Sequence, residues 1–250
     1  MLWARRFAVT IILLLTGPLS IAAIGMIDIF GDWRAASREP AGIAPDPRNI
    51  REAIVQVYAA RTFSWRGAFA VHTWIAIKPK DAESYETTEV LGWGSDESYI
   101  VTNNVVNPDR YWFGSKPILI KELIGEKAEI AISEIQRAID IYPWPHSYRS
   151  WPGPNSNTFT AWIVRHSPSL TADLPPTAIG KDYLGSKRFL SRAPSGAGAQ
   201  FSLWGIFGII LSSVEGVELN FFGLSVGLNP FSGTLRLPGI GNKKFLQPSI

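Results

Sequence analysis

The chain has no cysteine among its 250 residues, which removes disulfides, thiolate zinc sites and cysteine nucleophiles together. Histidine is scarce. The three present, His72, His146 and His166, form no His-Glu-x-x-His pattern, so the sequence supports no metal site and points to no cofactor. Neither sign of charge dominates: 24 basic residues face 21 acidic ones, for a net +3. The charges are scattered, and no basic run carries interleaved aromatics, which argues against a nucleic-acid partner. There is no internal repeat and no low-complexity tract. Past the N-terminus no long hydrophobic run survives either. Phe201–Val214 is the best candidate, and Glu215 and Glu218 end it too early for a membrane span.

What is present begins at the N-terminus. Arg5 and Arg6 precede an uncharged stretch, Phe7–Ile27, which as a helix would cover ~32 Å, about the thickness of a bilayer core. Two readings compete. A signal peptide finds passable cleavage sites at Ser20-Ile21-Ala22 and Ile21-Ala22-Ala23, but the apolar run continues past both, beyond the ~7–15 residues usual for a signal core. We therefore expect residues 1–30 to be an uncut transmembrane anchor. The arginines would hold that end in the cytoplasm and place the body in the periplasm or outside, as for a bacterial inner-membrane protein. Residues 31–50 read as a linker.

The body, residues 51–183, reads as α+β. Strands are expected at Ile54–Tyr58, at Phe69–Lys78 and at Thr87–Trp93; His72 and Trp74 share a face of the second, Glu89 and Trp93 a face of the third. Tyr99–Val106 and Tyr111–Phe113 follow as strands about an Asn107-Pro108-Asp109 turn. Glu126–Ile141 is an amphipathic helix with Ile130, Ile135, Ala138 and Ile139 on its apolar stripe. Residues 184–250 form a glycine-rich apolar extension, whose alternation in Val217–Phe221 suits strands with bends. It is either a second sheet packed on the core or a surface resting on a membrane.

The chemistry concentrates in the run Trp151-Pro152-Gly153-Pro154-Asn155-Ser156-Asn157-Thr158-Phe159. Phe159, Trp162 and Ile163 show helical spacing, and Pro168 stops the helix. Ser156 thus stands at a helix N-terminus, where backbone N–H groups and the helix dipole favour an oxyanion. It is either a nucleophile, with His72 as base, or an N-cap. Asn155 and Asn157 are either oxyanion or ligand donors or ordinary turn residues. The ten tryptophans include Trp74, Trp93, Trp144 and Trp151, which could line a groove.

Asn155-Ser156-Asn157-Thr158-Phe159, following a His-bearing strand, is similar to the Asn-Cys-x-x-Phe segment of lecithin retinol acyltransferase-like proteins and relatives of the NlpC-type cell-wall peptidases. That likeness implies a permuted papain-like antiparallel sheet packed on helices, with Ser156, His72 and Glu89 as nucleophile, base and orienting group. A serine stands where those families carry cysteine. A thiolate can rest beside an imidazolium, whereas a serine hydroxyl needs its base at the moment of attack. The chain also resembles domain-of-unknown-function family 3750, through Val57-Tyr58-Ala59-Ala60-Arg61, His72-Thr73-Trp74-Ile75, Glu89-Val90-Leu91-Gly92-Trp93, the Pro152–Phe159 run, Leu174-Pro175-Pro176-Thr177-Ala178-Ile179-Gly180-Lys181-Asp182-Tyr183 and Leu237-Pro238-Gly239-Ile240-Gly241. That resemblance implies no activity.

Two functions follow as expectations. One is a membrane-anchored envelope protein whose groove, lined by Trp74, Trp93 and Trp151 with Asn155 and Asn157, binds a ligand such as a peptidoglycan or lipid component. The other is a serine-dependent amide or ester hydrolase or acyltransferase acting on such a component through Ser156, His72 and Glu89.

Overall fold

The computed structural model describes residues 2–92 and 100–245. After the N-terminal helix α1 (Leu2–Ala23) come strands β1 (Ile54–Arg61), β2 (Val71–Lys78), β3 (Glu86–Val90), β4 (Val101–Val105) and β5 (Ile118–Ile124), then helices α2 (Glu126–Asp140) and α3 (Ser156–His166). The five strands form one antiparallel sheet in the order β4-β3-β2-β1-β5. The centre of that sheet is closed on both faces, since β1 and β2 are buried along almost their whole length. Their β-branched and aromatic residues suit a strand buried on both sides.

The alternation of side chains sorts two faces. Val55, Val57, Ala59, Val71, Ile75 and Ile77 meet α2 and α3 in the main core, while Tyr58, Ala60 and Trp74 form a second cluster with Trp112 on the opposite face. On α3, Phe159 and Ile163 are fully buried, and the Phe159 ring meets Tyr142 edge-on at 5.0 Å. On α2 the buried stripe is Ala128, Ala131, Ile132, Ile135 and Ala138. Ile130, expected on that stripe, is 49 % exposed. The helix turns its small alanines to the sheet, which allows a close approach, and the larger Ile130 faces out.

Several expected elements change. Tyr111–Phe113 is no strand; Trp112 makes only an isolated bridge to Ser115, and the second partner of β1, beside β2, is β5, which is not among the expected strands. β5 was hard to see because its residues are half-exposed at a sheet edge and carry Lys121 and Glu122 among the apolar ones. β3 ends at Val90; Trp93, expected on it, lies outside the described residues.

The extension is a second, seven-stranded antiparallel meander. It comprises β6 (Leu190–Arg192), β7 (Ala199–Leu203), β8 (Phe207–Ser212), β9 (Gly216–Phe221), β10 (Leu224–Asn229), β11 (Thr234–Leu237) and β12 (Gly241–Lys244), in chain order. Gly216 shows why glycine recurs: its φ is +78°, and a Cβ there would stand 2.3 Å from the Leu228 carbonyl oxygen. The inner face is polar. Gln200, Ser202, Glu218, Asn220, Ser225 and Arg236 point into the body. Between the sheet and residues 173–182 runs an ion network. Lys181 Nζ lies 2.8 Å from Glu218 Oε1, Arg236 Nε 2.5 Å from Glu218 Oε2, and Arg236 Nη1 2.7 Å from Asp173 Oδ1.

The N-terminal helix forms as expected, but the transmembrane reading needs correction: among the described residues no helix is long and apolar enough to cross a membrane. Arg5 and Arg6 lie inside α1, and its charge-free part, residues 7–23, falls short of the ~20 residues a span needs. One flank of that part is also spent on the body. Leu14, Gly17, Pro18 and Ile21 are buried, and a Cβ on Gly17 would come 2.0 Å from the Pro238 carbonyl oxygen in the β11–β12 turn.

Candidate functional site

The N-cap of α3 is Asn155, and Ser156 is the first helical residue. Asn155 Oδ1 accepts from the backbone N–H groups of Asn157 and Thr158, each at 3.0 Å, and Thr158 Oγ1 accepts from Asn155 N at 3.1 Å. This is a capping box with Asn in place of Ser or Thr. The amides of the two asparagines are used within the protein. Asn155 Nδ2 donates to the Ser150 and Ile179 carbonyls; Asn157 Nδ2 donates to the Val71 and Ile179 carbonyls, and Asn157 Oδ1 accepts from Thr73 Oγ1 at 2.9 Å. They latch the start of α3 to β2 and to the loop at Ile179.

That latch locates Ser156 relative to His72. Thr73 and His72 are adjacent on β2, so their side chains leave the sheet on opposite faces. Thr73 reaches α3. His72 stacks on Trp112 on the other face, with ring centroids 3.8 Å apart and planes 10° from parallel. The structure therefore joins His72 to Glu89 but not to Ser156.

On its own face His72 forms a closed cluster. His72 Nε2 lies 2.7 Å from Glu89 Oε2, and Glu89 Oε1 accepts a short hydrogen bond from Arg110 Nη2. His72 and Glu89 are 5 % and 2 % exposed. Burial on its own would raise the Glu89 pKa; the hydrogen bond and charge of His72, with the charge of Arg110, outweigh it and hold the carboxyl below its ordinary value. The Arg110 guanidinium sits 5.4 Å from the Trp74 ring and 5.7 Å from the Trp112 ring. Pro108 accepts from Trp74 Nε1 at 2.7 Å, and Asp109 Oδ2 from the backbone N–H groups of Ile43 and Ala44. Residues 108–112 thus cover this face. Their contributors Arg110 and Trp112 escaped the sequence reading, which treated the segment as a turn and a strand. The available signal was a carboxylate on a strand buried on both faces, which needs a cation.

Among the described residues, Trp74, Trp144 and Trp151 do not assemble into one groove. Trp74 is fully buried beside His72, Trp144 packs on the α2–α3 side against Trp162 and Tyr183, and Trp151 is 45 % exposed. A cavity does exist elsewhere. It has a volume of about 1060 Å³ and lies between residues 26–36, the adjoining ends of β1 and β2, the segment leading into β5, and the β11–β12 hairpin. Arg61, Lys116, Asp173 and Lys243 supply charged groups to its wall, and Phe63, Phe113, Leu119 and Ile240 apolar ones. Ser156, His72 and Glu89 do not line it.

A family described as a protein of unknown function, DUF3750, matches residues 52–183, which begin just before β1 and end where the second sheet is about to start. The chain belongs to the DUF3750 family. No curated protein and no solved structure matches it. The DUF3750 region holds the His72–Glu89–Arg110 cluster and the asparagine latch of α3, whereas the seven-stranded meander follows it.

Proposed function

We propose that this DUF3750 protein is a ligand-binding protein of the bacterial envelope, and that it does not turn over substrate through Ser156. The cavity of about 1060 Å³ carries the reading: it is large enough for a sizeable ligand and offers apolar walls beside cationic and acidic groups. That chemistry suits an amphiphile with an apolar body and a polar head, such as a lipid-derived envelope component. The papain-like hydrolase reading has less support. A nucleophile must lie within hydrogen-bond reach of its base, and here the base and its orienting carboxylate occupy a closed cluster on the opposite face of the sheet from α3.

Native mass spectrometry of protein released in mild detergent tests the proposal. An amphiphile adduct is expected on the native chain, and it should be lost from Ser115→Trp, which places an indole in the cavity wall. Fluorophosphonate labelling should be no stronger for the native chain than for Ser156→Ala. Labelling that depends on Ser156, together with hydrolysis of an ester substrate, would restore the hydrolase reading and end this one.

A further inference from the structure

The seven-stranded sheet is inside out for a soluble protein. An antiparallel sheet with one wet face ordinarily alternates apolar-in and polar-out. Here the polar alternates are buried, and Phe201, Leu211, Val217, Leu219, Val226, Leu228 and Leu235 are 37–56 % exposed. The registers align Leu219 with Val226 and Ile209, and Phe201 with Ile209, so the exposed side chains form one band across adjacent strands. A continuous apolar face of this kind marks an interaction surface.

Charge identifies the occupant. Within residues 185–245 the two acids, Glu215 and Glu218, are buried, while Lys187, Arg188, Arg192, Lys243 and Lys244 are all exposed. These five lie on or beside the edge strands β6 and β12, so the apolar band is bordered by positive charge on both sides. A second copy stacked face to face with aligned strands would set a basic edge against a basic edge in either direction. An anionic bilayer meets the same pattern with complementary headgroups around an apolar interior.

Two further features agree. Trp204 and Phe222 are exposed at the turns on the same end of the sheet as the β11–β12 turn, in the manner of interfacial aromatics. That end also holds α1, whose free flank exposes Val9, Ile12, Leu13 and Leu19, with Trp3, Arg5 and Arg6 exposed on its first turns.

We infer that the outer face of β6–β12 lies on an anionic lipid bilayer as a monotopic surface. The open edges keep the sheet out of the hydrocarbon core, where unpaired strand N–H and C=O groups have no partner. The apolar band enters the boundary region, and the basic edges sit among phosphates. This inference goes beyond the cavity reading and holds whether or not the cavity binds a ligand.

Vesicle flotation of the full chain tests it, using phosphatidylcholine alone and phosphatidylcholine with phosphatidylglycerol. The native chain should float with the anionic vesicles. Leu219→Glu/Val226→Glu should weaken that binding by at least ~10-fold, and Lys187→Glu/Arg188→Glu by roughly fivefold or more per charge at low salt, with preference for the anionic vesicles lost. Circular dichroism checks that each variant is folded; should the glutamate pair unfold the sheet, Leu219→Thr/Val226→Thr retains strand propensity and should still weaken binding. Flotation by α1 alone, unchanged in every sheet variant, overturns the inference. So does a dimer in light scattering that the same variants dissociate, with no vesicle binding by the native chain.

Discussion

At the scale of single residues, Glu89 and Asp182 are buried carboxyls with opposite behaviour. Glu89 is ionised between His72 and the part-buried Arg110, and removing its charge leaves that guanidinium without its counter-charge. Glu89→Gln should cost about 1–3 kcal/mol in urea unfolding. Because its folded pKa is depressed, its contribution is present above the ordinary carboxylate range and is lost as pH falls through the folded value. His72→Ala should cost about 1–3 kcal/mol, since Glu89 loses a partner and Trp112 its stacked ring; a variant as stable as the native chain would contradict a structural His72. Asp182 lies against the second sheet, where burial pushes it up to about 6, against the hydrogen bond from Asn220 and the charge of Lys181. The folded value stands above the ordinary 3.8, so its stabilising effect is complete below pH 4 and is lost as pH rises through about 6. Asp182→Asn keeps an acceptor for Asn220. It should be more stable than the native chain at pH 7, by roughly 2–3 kcal/mol, and flatter between pH 4 and 6 in melts across that window. An unchanged slope would assign the dependence to other groups.

At the scale of elements, the start of α3 is held by side chains of Asn155 and Asn157 rather than by the hydroxyl of Ser156. Asn157→Ala removes the partner of Thr73 and the side-chain donor to the Val71 carbonyl, while the Ile179 carbonyl keeps Asn155 Nδ2, a loss of about 2–3 kcal/mol by chemical denaturation. Ser156→Ala should change stability by less than ~1 kcal/mol, because an alanine at the first helical position disturbs no cap. Equal losses for the two variants would mean that the latch is not where the geometry puts it. The apolar spacing of α3 was legible because it is local, whereas the cap expected at Ser156 falls one residue earlier, on Asn155. The edge strand β5 beside β1 was not legible, since a weakly apolar edge strand acquires its identity only by pairing.

At the scale of the whole molecule, the second sheet is held to the DUF3750 region largely by polar contacts. Arg236 is fully buried and joins Glu218, Asp173 and the Leu174 carbonyl. Arg236→Ala should cost about 3–5 kcal/mol and loosen the sheet before the five-stranded core unfolds. Limited trypsin digestion reads this directly. Cleavage at the exposed Lys187 and Arg188 should quicken in the variant while a fragment containing β1–β5 persists. Loss of both parts at one rate would show that they unfold together.

The sequence by itself determined the α+β class, the place of α2 and α3, the strands bearing His72 and Glu89, and their adjacency. Each rests on a local period, a cap or a short connection, all written in consecutive residues. Tertiary structure decided the rest. Which face His72 takes depends on the side to which α3 is latched, and one residue along a strand reverses the answer. Arg110 and Trp112 belong to the cluster because a loop folds over the sheet. The alternation of β6–β12 reads the same whether the apolar side is buried or bare. Only the docking of Glu218 and Arg236 on residues 173–182 put the polar side inward and left the apolar side out.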